Sequence, residues 1–256
     1  MIILIAESKT MASAMHEIST SEYLNNTPAG ERQAAEIMKN IASMSVADIS
    51  RLVKLSDKMA ASLRLMAYEF PNKTAGMNAV EAFTGVVFRN LDYPSFSEEE
   101  KMTAGDKIRI ISSLYGWLRP DDVIKPYRLE FTSPLSPDDT PLARFWRGPV
   151  SDELVRMIKD SGEKEVLDLL PADAAKSIDW KIVKSVANVW KVDFKELSGE
   201  NVRSPHAGKL KSFRGKLLRQ IILNRLDSAA EVASFENDEM MAAPEYGEQG
   251  RIAYYV

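Results

Sequence analysis

Three groups of residues in this 256-residue chain have types and spacings suited to handling an anion, and all of them rely on cations and N–H groups. The first is Leu114-Tyr115-Gly116-Trp117-Leu118-Arg119-Pro120, where a glycine turn between large apolar residues would present backbone N–H groups with Arg119 beside them. Free N–H groups at a turn attract phosphate whatever the side chains are. The second is the stretch from Arg203 to Arg225, which holds seven Lys or Arg and no Asp or Glu in a chain of net charge −4. Read as a helix from about Lys209, it puts Leu210, Phe213, Leu217 and Ile221 on one face and Lys216 and Arg219 opposite, with Lys211 and Arg214 flanking the apolar stripe. A basic amphipathic helix of this kind suits a polyanion, a solvated surface, a membrane surface or a partner helix.

The third group is Tyr127-Arg128-Leu129-Glu130. In an extended run, Arg128 and Glu130 project to one side and could meet Lys9 or Lys176. With Asp57 and Lys58 these residues form a candidate pocket for a nucleotide or another phosphorylated small molecule, although a structural ion-pair network uses the same residue types. No nucleophile is paired with a base and no Gly-rich phosphate loop is present, so no catalytic residue is assigned. The chain has no cysteine and only two histidines, His16 and His206, which removes disulfides, thiolate sites and a histidine-rich metal centre. No metal or cofactor is expected. The short apolar start Met1-Ile2-Ile3-Leu4-Ile5 is followed directly by Glu7, and no long apolar run occurs elsewhere, so a cytoplasmic protein without a membrane segment is expected.

Those residues must be placed by a mixture of strands and helices. Ile2 to Ala6 is a short β-branched run that reads as a buried strand opening into the loop that carries Lys9. Met11 to Ala29 lacks periodicity and reads as a loop. Helices are expected from Gly30 to about Met44, after the cap Ser45, after Ser56-Asp57-Lys58, and after the Ser97/Glu100 capping box. Ile108, Ile110, Ile111 and Leu114 fall near helical spacing, which predicts a helix from about Asp106 that stops at Gly116, with a short second helix at Pro120-Asp121-Asp122. That outline, over residues 106–125, is a helix-hairpin-helix. Residues 132–141 hold three prolines and form the best candidate for an internal boundary. Glu165 to Leu170 reads as a buried strand, a short helix follows to Ser177, Ile182 to Phe194 as one or two strands broken near Asn188, and Ile252 to Val256 as a closing strand after the acidic 227–250 stretch. The expected fold is α+β: one mixed α/β domain spanning 1–256, its mixed sheet flanked by helices.

Nearly the whole chain also resembles the YaaA family of bacterial peroxide-stress proteins. The resemblance rests on Ile2-Ile3-Leu4-Ile5 with Lys9-Thr10, Leu55-Ser56-Asp57-Lys58, Phe83-Thr84-Gly85 and Leu91. It continues through Leu114-Tyr115-Gly116, Leu118-Arg119-Pro120, Pro126-Tyr127-Arg128-Leu129-Glu130, Phe145-Trp146, Lys176-Ser177 and Arg214-Gly215 to Asn224-Arg225. The chain departs from the family pattern at Glu7-Ser8, where the family has Pro-Ala, and over Asp168–Ala175. The resemblance implies a fold particular to that family, a helix-hairpin-helix beside a basic cleft, binding of double-stranded DNA, and a role in limiting free iron and DNA damage under peroxide. On this reading Leu114, Tyr115, Gly116, Trp117 and Arg119 meet one phosphate, while Lys9, Lys209, Lys211, Arg214 and Arg219 neutralise others without reading bases. The alternative from another class is an enzyme or binding protein for a phosphorylated small molecule at Asp57, Lys58, Tyr127, Arg128, Glu130 and Lys176.

Overall fold

The structure is a computed structural model that describes residues 1–12, 15–198, 201–247 and 250–256. Parts of the predicted Met11–Ala29 loop and of the acidic 227–250 stretch therefore lie outside the described residues. The strands are β1 Ile2–Ala6, β2 His16–Glu17, β3 Ala75–Asn78, β4 Ile108–Ser112, β5 Gly116–Leu118, β6 Val123–Ile124, β7 Glu165–Asp168, β8 Asn188–Ser198, β9 Asn201–Arg203, β10 Met241–Ala242 and β11 Arg251–Tyr255. The helices are α1 Thr20–Asn25, α2 Glu31–Ser43, α3 Val46–Val53, α4 Asp57–Glu69, α5 Ala79–Ala82, α6 Val86–Leu91, α7 Glu98–Lys107, α8 Leu142–Ser161, α9 Trp180–Val183, α10 Ala207–Leu223 and α11 Ala229–Ser234.

The main sheet runs β10-β11-β8-β7-β1-β4-β5, with β9 paired to β8. Its centre is parallel: β1 pairs with β4 on one side and β7 on the other, β7 with β8, and β8 with β11. Only β5 and β10 run antiparallel on that path. A strand buried on both faces is continuously apolar, and Met1 to Ile5 are all buried, as the opening run predicts. A second, three-stranded sheet has the order β2-β3-β6. Helices α2 and α3 pack on α4, and α10 packs on α6. One hydrophobic cluster links the central strands with residues from both helical groups, including Ile37 and Leu63 on one hand and Leu217 and Ile221 on the other. The sheet is mixed and flanked by helices, as expected.

The predicted helix-hairpin-helix at 106–125 is corrected by this architecture. Helix α7 ends at Lys107, and Ile108 to Ser112 continue as a strand that turns through Gly116 into β5. The same apolar residues satisfy a helical spacing and a doubly buried strand, and over a run this short periodicity alone does not separate the two. Three isoleucines in four residues favour the pleated sheet, where β-branched side chains pack well against their neighbours and avoid the crowding of a helical turn. Pro120 and Asp121 form a turn, with Asp122 Oδ2 accepting from Arg119 N at 2.8 Å. The smaller differences follow local chemistry. Ser19 caps helix α1 inside the predicted loop by accepting from Glu22 N, and residues 180–183 form a helical turn before the strand starts at Asn188.

Candidate functional site

A cleft of about 330 Å³ opens over the C-terminal ends of β1 and β7. Because β1 leads to β4 on one side and lies beside β7 on the other, this is a switch point in the strand order, where parallel sheets leave a crevice for ligands. Its lining comes from the loop after β1, Glu7 to Thr10, the segment Gly85–Arg89, the extended run Leu129–Phe131, the loop after β7, and Lys211 and Arg214 of α10. The β1 loop is held against α6 by Thr84 N donating to Thr10 O at 3.0 Å and by contact of Gly85 with Ser8, where a β-carbon would collide with the serine hydroxyl.

Glu7 is the unusual group in the cleft. Its Oε2 accepts from Ser113 N at 2.9 Å and from the Tyr127 hydroxyl. That hydroxyl lies 2.7 Å from Ser112 Oγ, which accepts in turn from Leu114 N and Tyr115 N. Burial raises the Glu7 pKa to about 7, against the lowering effect of the hydrogen bonds from Ser113 and Tyr127. The residue still lines the cleft, and its hydrogen bonds among the described residues fall on Oε2. At the mouth, Lys9 Nζ pairs with Glu130 Oε1 at 2.7 Å, both side chains being largely exposed.

Arg214 is half-buried in the cleft wall, and its Nε is buried without an acceptor. Burial lowers its pKa, while the nearby charges of Asp168, Asp173 and Asp193 raise it. Among the described residues no carboxylate comes within ion-pair distance of it. Asp168, at the end of β7, is buried, and desolvation raises its pKa although Leu170 N donates to its Oδ1 at 2.9 Å.

The remaining predicted residues are distributed as follows. Leu114 and Tyr115 are fully buried, and Trp117 is nearly so. Gly116 does take a positive φ of 78°, and a β-carbon there would meet Trp146 at 2.6 Å. The N–H groups of this turn are spent internally, on Ser112 Oγ, Glu7 and Tyr115 O, so this turn has none of them free for a phosphate. Arg119 lines a different hollow, with Arg109, Asp121 and Asp122, beside Met1 and Ile2 at the opposite end of β1 from Lys9. Lys209 binds Glu196 at 3.1 Å and the Val256 carbonyl at 2.9 Å. Arg219 clamps the Leu91 and Asp92 carbonyls and Ser95 Oγ. Of the basic stretch, only Lys211 and Arg214 face the cleft.

Of the predicted ligand residues, Glu130 joins Lys9 in the cleft. Buried Tyr127 and exposed Arg128 line an adjoining groove of about 470 Å³ with Met11, Leu65 and Met66. The groove and the cleft share Lys9 and Thr10. Lys176 is exposed on a short turn, and Asp57 and Lys58 are exposed at the start of α4; none of the three lines the cleft. Among the described residues no three His, Asp or Glu side chains gather where they could hold a metal. Sequence reasoning missed Glu7 as a functional group, reading it only as a departure from the family pattern. Its place at the end of a buried strand was the available signal.

The turn between α3 and α4 has a geometry that the sequence reading assigned elsewhere. Lys54 closes α3 in the left-handed conformation, φ 56°, and Ser56 caps α4 by accepting from Met59 N. The α4 N–H groups of Asp57 and Lys58 have no protein acceptor among the described residues, as the first turn of a helix leaves them. Arg51, Lys54 and Lys58 are exposed around this turn, with Arg51 paired to Asp48.

A family model described as "Peroxide stress protein YaaA" matches residues 1–245. The chain belongs to this family. Relatives include a UPF0246 protein of Parabacteroides distasonis, 29% identical over 237 residues covering 92% of this chain and 91% of the relative. One from Bacteroides fragilis is 31% identical over 238 residues, 92% and 90%, and one from Caulobacter vibrioides is 32% identical over 214 residues, 83% of each. For this YaaA-family chain, no helix among the described residues is long and apolar enough to cross a membrane.

Proposed function

We propose that this peroxide-stress protein binds double-stranded DNA without strong sequence preference and thereby limits DNA damage. The observation that carries this is the α3–α4 pair. Two packed helices meet at a tight turn whose αL residue is Lys54, and the next helix begins with unsatisfied N–H groups beside the exposed Lys54, Asp57 and Lys58. Such a turn binds a phosphate by its backbone and adds two point charges, which positions a duplex without reading it. A groove that begins on α4, at Ser62, Leu65 and Glu69, carries Lys9 and Arg128 and shares Lys9 and Thr10 with the cleft. The net charge of −4 means that binding must come from this local concentration.

Fluorescence anisotropy on two duplexes of equal length and unrelated sequence tests the proposal. Affinities within about threefold of each other are expected. Lys54→Ala with Lys58→Ala should weaken both duplexes to the same degree, because phosphates carry no base information. A variant that folds normally and binds both as the parent does would refute the assignment to this turn.

A further inference from the structure

The cleft over β1 holds a chemistry that duplex binding at the α3–α4 turn does not use. Arg214 is the first part of it. Arginine keeps its charge in proteins, and a half-buried guanidinium with a buried, acceptor-less Nε is costly unless an anion completes it. Lys211, one helical turn earlier, is exposed, lines the same cleft and makes no ion pair among the described residues. The second part is Glu7, whose Oε2 is anchored by Ser113 N and Tyr127 while, among the described residues, no hydrogen bond is formed to Oε1. The third part is the wall, where Val86, Phe88, Leu129, Phe131 and Leu169 supply apolar surface. A volume of about 330 Å³ sits at the lower end of the small-ligand range of about 300–1,000 Å³.

We propose that the cleft is a binding site for a phosphate monoester attached to a ring that carries an N–H donor, a molecule of the size of one nucleoside monophosphate. Arg214 forks onto the phosphate, Lys211 adds a second cation, and Glu7 Oε1 accepts from the ring. Arginine suits this role because its planar fork matches two phosphate oxygens at once, whereas lysine acts as a point charge. The Lys9–Glu130 pair closes part of the mouth and can open to admit the ligand, since an exposed pair is worth only about 0–1 kcal/mol. The same chemistry has two sources, a free nucleotide or the phosphorylated end of a DNA strand.

Isothermal titration of the full chain separates these cases, using the nucleoside 5′-monophosphates, the matching nucleosides, inorganic phosphate, and a short 5′-phosphorylated oligonucleotide. At least one monophosphate should bind at least tenfold tighter than its nucleoside and than inorganic phosphate. Arg214→Gln should remove that advantage, and Arg214→Lys should restore part of it. Glu7→Gln should change the ranking among the bases while leaving inorganic phosphate unaffected. Circular dichroism of each variant separates loss of the site from loss of the fold, with the lysine variant as the reporter if the glutamine variant fails to fold. Tighter binding of the 5′-phosphorylated oligonucleotide, with the same Arg214 dependence, identifies the strand end as the source. The Lys54/Lys58 double variant should bind monophosphates normally, so failure of the duplex proposal leaves this one standing. Equal affinity for monophosphate, nucleoside and inorganic phosphate, or monophosphate binding indifferent to both Arg214 variants, would overturn it.

Discussion

Glu7 makes stability depend on pH in a direction that a single substitution isolates. Its carboxyl titrates at about 7 in the folded chain and near 4.5 when unfolded. Between those values the folded state holds a proton that the unfolded state has released, so stability is full below about 4.5 and falls as pH rises through 7. Each pH unit over that window is worth at most about 1.4 kcal/mol, which sets a ceiling of about 3 kcal/mol. Water in the cleft reaches this residue, so about 1–2 kcal/mol is the expected size. Glu7→Gln keeps an oxygen to accept from Ser113 N and Tyr127 Oη and cannot ionise. Urea unfolding of parent and variant at pH 5 and pH 8 gives the comparison. Asp122, raised to about 6 by burial, and Asp168, also raised, impose slopes of the same sign. They act in both proteins and cancel in the difference. The variant should gain about 1–2 kcal/mol on the parent between pH 5 and pH 8. A difference that stays constant, or moves in the parent's favour, would show that the carboxyl is ionised in the fold without penalty.

Two further outcomes follow from side chains that hold the fold together. Gly116→Val forces a β-branched residue to a φ of 78° and drives its β-carbon into Trp146. It should destabilise by about 2–4 kcal/mol in urea titration, combining strain and overpacking, yet duplex affinity of the folded fraction should be unchanged. Arg219→Ala leaves the Leu91 and Asp92 carbonyls without their donor and should cost about 1–3 kcal/mol of stability, while shifting duplex affinity by less than about twofold in the anisotropy assay.

The sequence carried the parts of the fold that one element decides by itself. Ile2–Ala6 reads as a buried strand because a doubly covered parallel strand is apolar throughout, and Ser45, Ser97 and Glu100 announce helix starts through caps that the structure forms. The basic helix is legible from its stripe, and α10 begins two residues before the predicted Lys209. What single elements cannot decide is which partner a side chain meets. Lys209 and Arg219 look identical in sequence to Lys211 and Arg214, but the first two face Glu196 and the 91–95 turn, and only the second two face the cleft. The 108–118 hairpin is not legible in the sequence because a short run of isoleucines suits two periods, and only pairing with β1 chooses between them. Glu7 became visible as a proton-holding group only when Ser112, Ser113 and Tyr127, more than a hundred residues away, were brought to it. In the same way Ser56-Asp57-Lys58, recognised as a helix start, gains its proposed role from the left-handed Lys54 before it, which no residue-type preference signals.

The salt dependence of duplex binding tests the proposed phosphate contacts most directly. Each phosphate neutralised contributes about 0.9 to the slope of log affinity against log salt. The Lys54→Ala/Lys58→Ala variant should therefore show a slope shallower by about 1–2 than the parent, measured at several salt concentrations on one duplex. A folded double variant with the parent's slope would contradict the account, because the α3–α4 turn would then neutralise no phosphate.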